Sequence, residues 1–90
     1  MDDGLKNALQ LLLATAATDS GGGGRCAGFL LSLWDGGTYK VDLQDLMYID
    51  GEYFSAMMML YQYLHAENKQ LDALVTNKQI APVLAVWGKG

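Results

Sequence analysis

An all-α fold, one compact domain of four to five helices, is predicted by three observations. Apolar residues recur at the i, i+3, i+4 spacing of a helical face in several separate segments. The one stretch that alternates like a strand, Thr38 to Val41, has no second strand elsewhere to pair with. The chain of 90 residues, with 51% apolar and 18% charged side chains and a mean hydropathy of +0.10, has the length and composition of one folded core rather than a disordered chain.

Leu5, Ala8, Leu9, Leu12, Leu13 and Ala16 share one helical face, so a first helix is expected over Leu5 to Ala17. Asp2 and Asp3 precede it, where a capping oxygen and negative charge are favourable. Each glycine of the run Gly21 to Gly24 costs about 1 kcal/mol in a helix relative to alanine, so residues 19–24 are expected to form a flexible loop. A buried second helix follows over Arg25 to Trp34, ended by Asp35-Gly36-Gly37. Residues 38–41 are read as loop. Asp42 is expected to cap a short helix over Leu43 to Tyr48, and Asp50 to cap a long one from Gly51 to about Ala66, with Glu52 in its first turn.

That long helix carries two apolar stripes, Phe54, Met57, Met58, Tyr61, Leu64 and His65 on one side and Tyr53, Ala56, Leu60 and Tyr63 on the other, so it is expected to be central or to face a partner. Met57, Met58 and Met59 are consecutive and point in three directions, which leaves at least one at the surface. Thr76 to Gln79 matches a capping box and opens a last helix to about Trp87, with Pro82 tolerated if the helix begins near Gln79. The expected core is Phe29, Leu33, Trp34, Leu46, Phe54, Met58, Tyr61, Leu84 and Trp87.

The residue inventory is poor in chemistry. Cys26 is the lone cysteine, which excludes a disulfide within the chain, and with His65 as the lone histidine a structural zinc site lacks ligands. Neither a nucleophile–base pair nor a cofactor motif is recognisable, so no catalytic residue, metal or cofactor is expected. Cys26 reads as a small packed hydrophobe, and His65 as a partner for its helix dipole. Gly21 to Gly24 followed by Arg25 could cradle an anion, but the strand and the Gly-Lys-Ser/Thr ending that such loops need are missing, and a plain linker is preferred. A net charge of −4 opposes direct binding to nucleic acid. No apolar run approaches the roughly 18 residues of a membrane span. Asp2 and Asp3 stand where a signal peptide carries Lys or Arg, which predicts a cytoplasmic protein.

The charge is uneven. Between Asp35 and Glu52 lie Asp35, Asp42, Asp45, Asp50 and Glu52 against Lys40 alone, a net −4 that equals the charge of the whole chain. One edge should therefore be acidic and able to meet a basic partner. Tyr53 and Met59, on the neighbouring helix, supply the aromatic and adaptable apolar contact enriched at interface centres.

Gly24-Arg25-Cys26-Ala27, Phe29-Leu30-Leu31, Leu33-Trp34, Val41-Asp42-Leu43 with Leu46, the Ile49-Asp50 pair, the Met-rich helix and the final tryptophan together resemble small uncharacterised proteins encoded on bacterial plasmids, integrative elements and prophages. The likeness spans Leu9 to Trp87, although the glycine run departs from the more polar loop of that family. It implies a mobile-element accessory protein. By analogy with anti-CRISPR proteins, whose acidic faces occupy basic nucleic-acid channels, it implies an inhibitor of a host defence complex. The expected site is then Asp35, Asp42, Asp45, Asp50, Glu52, Tyr53 and Met59, and the expected partner is a protein with a basic surface. A homodimeric accessory protein is the alternative, and a small enzyme comes third.

Overall fold

The computed structural model describes residues 2–88. Among them, α1 (Asp3–Ala16), α2 (Gly21–Trp34), α3 (Leu43–Met47), α4 (Gly51–Glu67) and α5 (Asn77–Trp87) follow one another, with a single 3₁₀ turn at Leu71–Ala73 and no strand. The all-α expectation is met.

Asp2 starts α1, its Oδ1 accepting the Leu5 amide at 2.8 Å. One face of α1 then buries Leu5, Ala8, Leu9, Leu12 and Ala16. Both α2 and α4 pack along that face, while α5 closes the far side against α1 and α2. The middle of the molecule is thus α1, not the long helix α4. In the interior Leu12, Leu30, Leu31, Met57, Leu60, Leu71, Ile80 and Val83 are wholly enclosed.

The loop expected over residues 19–24 is shorter than its glycines suggest. Ser20 caps α2, its Oγ accepting the Gly23 amide at 2.9 Å, and all four glycines form the first turn of the helix. Close approach explains two of them. A Cβ on Gly23 would lie 2.2 Å from the Thr18 carbonyl oxygen, and one on Gly24 would lie 3.1 Å from the Trp87 indole. The glycines let α1, α2 and α5 meet where larger residues would hold them apart.

The core differs from the expected list. Phe29 is buried, but Leu33, Trp34, Leu46, Met58, Leu84 and Trp87 are only half-buried. Phe54 and Tyr61 stand at 43% and 53% exposure. The reason is the rotation of α4: it turns Ala56, Met57, Leu60 and Leu64 toward α1, and this mixed line of small and large side chains lets the two helices approach. Of the three consecutive methionines Met57 is buried, Met58 half-buried and Met59 exposed.

Thr76 and Gln79 form the expected capping box, at 3.2 Å and 2.8 Å. Because α5 starts at Asn77 rather than near Gln79, Pro82 sits well inside it and gives the Lys78 carbonyl no amide to accept from.

Candidate partner-binding surface

Both α2 and α4 pack on α1, yet they make little direct contact with each other. What bridges them is an edge-on contact between Phe29 and Tyr61, ring centroids 6.5 Å apart. On either side of Tyr61 the gap between the two helices opens to solvent.

The larger opening is a groove of about 420 Å³. Phe29, Ser32 and Leu33 of α2 form one wall at i, i+3, i+4 spacing, Met58 and Tyr61 of α4 form another, and the segment 36–46 closes the end through Tyr39, Val41, Leu43 and Leu46. A second groove of about 260 Å³ shares Ser32, Leu33 and Tyr61 and continues toward Leu64, His65, Lys69 and Leu71. Lys69 reaches over the Tyr63 ring, 5.9 Å from its centroid.

The segment between α2 and α4 packs on the core through Tyr39, Val41, Leu46 and Ile49. Tyr39 lies against Trp34 with centroids 6.5 Å apart, and the Lys40 ammonium donates to the Gly36 carbonyl. Asp42 starts α3 by accepting the Gln44 amide at 2.9 Å. No residue of α3 is buried. Leu43, Met47 and Tyr48 are 71%, 75% and 66% exposed, an arm of large apolar side chains facing water. Monomeric proteins seldom leave such a patch bare without a use for it.

The carboxylates singled out in the sequence stand on and beside this arm, all of them exposed. Asp35 ends α2, Asp42 and Asp45 belong to the start of α3, and Asp50 and Glu52 belong to the start of α4. Asp50 holds the N-cap position of α4, but its side chain accepts no bond from the first-turn amides, unlike the cap expected of it. Tyr53 is half-buried against the core. Met59 is turned away from the groove: its Sδ is 4.0 Å from where a Cβ on Gly4 would sit, beside the start of α1. Met58 and Tyr61 occupy the groove instead. Sequence reasoning assigned both to the core because they share an apolar stripe with Met57 and Leu64, which are buried.

Cys26 is wholly enclosed, and burial pushes its thiol up to about 11. His65 is exposed in the last turn of α4. Among the described residues no three His, Cys, Asp or Glu side chains are grouped to hold a metal ion, and no helix is long and apolar enough to cross a membrane.

No curated protein and no solved structure matches the chain. A family model does, over residues 6–88, from within the first turn of α1 to the residue that ends α5. With nearly the whole fold and both grooves inside that match, the chain belongs to DUF7673, a family of unknown function.

Proposed function

We propose that the protein is a non-catalytic binding module that takes hold of a protein partner with the α3 arm and the groove behind it. The observation that carries this reading is the bare apolar arm of Leu43, Met47 and Tyr48 set among five exposed carboxylates. Apolar contact supplies lifetime to such a complex, and the segment's net −4 selects and steers a basic partner. In its specific form the partner is a nucleic-acid-binding defence complex of a bacterial host, and the protein is a mobile-element inhibitor that occupies its basic surface in the cytoplasm. The sequence resemblance supports that form, and the acidic arm is compatible with it.

The same exposed side chains favour a second reading, a homodimer through the arm. Two copies meeting there would set carboxylates against carboxylates, which opposes self-association.

Capture from host cells on the tagged wild type, beside a Leu43→Ser, Met47→Ser variant, tests the proposal. Both positions are exposed, so the variant should fold. A partner retained in fixed stoichiometry by the wild type, lost by the variant and displaced by added nucleic acid supports the specific form. A partner lost by the variant but indifferent to nucleic acid leaves the binding module and removes the defence complex. Equal retention by both proteins contradicts the proposal.

A further inference from the structure

We infer that the larger groove binds a small amphiphile, an acyl chain ending in a carboxylate, with the chain against the apolar lining and the head group on Lys40. The inference goes beyond the binding-module reading and does not rest on it.

Size sets the class of occupant. The groove is lined by Phe29, Ser32 and Leu33 of α2 and by Met58 and Tyr61 of α4. Each helix thus offers little more than one turn, about 6 Å at 1.5 Å per residue. That is too short to seat a protein helix along it, while the volume of about 420 Å³ lies within the roughly 300–1,000 Å³ of sites that enclose small molecules.

The lining sets the chemistry. Ser32 donates its hydroxyl proton to the Phe29 carbonyl at 2.7 Å, so it keeps no donor for a ligand. Apart from Ser32 and Lys40, the side chains of the lining are aliphatic or aromatic. A sugar or a nucleoside would leave polar groups unpaired against such walls, and a hydrocarbon chain would not. Met58 adds a flexible side chain that fits itself to an irregular neighbour.

Charge sets the head group. From Asp35 to Glu52 there are five carboxylates and Lys40, and of these six residues only Lys40 lines the groove. Its ammonium donates to the carbonyl of Gly36, which also lines the groove, and is thereby held at the wall. An ammonium carries three N–H donors, so two remain for a carboxylate. The acidic side chains are exposed and outside the lining, and salt at physiological strength screens them beyond about 8 Å, whereas Lys40 meets the head group in contact. The same edge is acidic toward a macromolecule and cationic toward a ligand inside the groove.

Decanoate, decanol and decyltrimethylammonium, one chain with an anionic, a neutral and a cationic head, test the inference. Each is titrated below its micelle-forming concentration into ¹⁵N-labelled protein at physiological salt. Decanoate should bind about three- to fivefold more tightly than decanol, the worth of a charge pair open to solvent on one side, and decyltrimethylammonium more weakly than either. The shifted amides should saturate together and lie in residues 29–33, 39–41 and 58–61. Lys40→Gln, at an exposed position, should bring decanoate down to the affinity of decanol and leave decanol unchanged, while Lys40→Arg should keep the preference. Equal affinity for the three probes, or a preference for decanoate that survives Lys40→Gln, overturns the inference. Tightest binding of decyltrimethylammonium means that the acidic segment governs the groove, and overturns it as well. Shifts centred on residues 64–71 put the chain in the second groove, and the lack of any saturable shift removes the site; either result contradicts the inference.

Discussion

Gly23 and Gly24 show how a residue's neighbours decide its worth. Within one glycine run the same substitution should have opposite signs. A Cβ on Gly21 or Gly22 meets nothing within 4 Å, so Gly21→Ala and Gly22→Ala should raise stability by up to about 1 kcal/mol through higher helix propensity and a less free unfolded chain. Gly23→Ala drives a methyl to 2.2 Å from a backbone oxygen and should cost several-fold more than that gain, with Gly24→Ala between them. Thermal unfolding of the four variants checks the order. Propensity alone reads all four glycines as loop, because the approach of Thr18 and Trp87 is a tertiary fact that spacing along the chain does not encode. Cys26 was more legible: the apolar run that follows it, Ala27 to Leu31, predicts burial, and burial follows. Its thiol is raised to about 11 in the folded protein and lies near 8.5 in an unfolded chain. Between these values the unfolded chain holds fewer protons, so the stability Cys26 contributes is fully present below about pH 8.5 and is lost as pH rises toward 11. The wild type should therefore lose about 1–2 kcal/mol more than Cys26→Ala between pH 8 and pH 10, measured as the difference between their urea midpoints.

Among the elements, α3 stands apart. It buries no residue, is five residues long, and is started by the single Asp42 cap, whereas α1, α2 and α4 each bury four or more residues. An isolated helix of that length is marginal in water, so α3 should open locally while the rest stays folded. Native-state hydrogen exchange should find its amides exchanging at least a hundredfold faster than those of Leu9 to Leu12 and Leu30 to Leu31. Equal protection would mean that the arm is part of the cooperative unit. All five helices were legible from caps and periodicity, with the Thr76 capping box as the clearest signal. The buried face of α4 was not. Both of its stripes are apolar and the buried face takes two residues from each, so the choice of Ala56, Met57, Leu60 and Leu64 over Phe54, Met58 and Tyr61 was made by the fit to α1. Of the large residues left over, Met58 and Tyr61 became the groove wall, while Phe54 stands exposed, and all three were misread as core for the same reason.

At the scale of the whole molecule, the charge arithmetic of the sequence and the packing of the bundle converge on one edge. The acidic segment from Asp35 to Glu52 is the arm that closes the larger groove, and the gap behind it exists because α2 and α4 both chose α1. The acidic edge was readable from the chain, since net charge by segment requires no knowledge of the fold. The apolar groove was not, since it depends on which pair of helices fails to meet. The most direct test of the binding account is the association kinetics of the captured partner with the wild type and with an Asp45→Lys, Glu52→Lys double variant, at low and at physiological salt. Both side chains are exposed, and neither accepts a capping bond, so the fold should survive the change. The account predicts an association rate at least tenfold lower for the variant at low salt, a gap that narrows as salt rises, and a dissociation rate within about twofold of the wild type's, because exposed charges steer encounter more than they hold the complex. Equal association rates at low salt would contradict it.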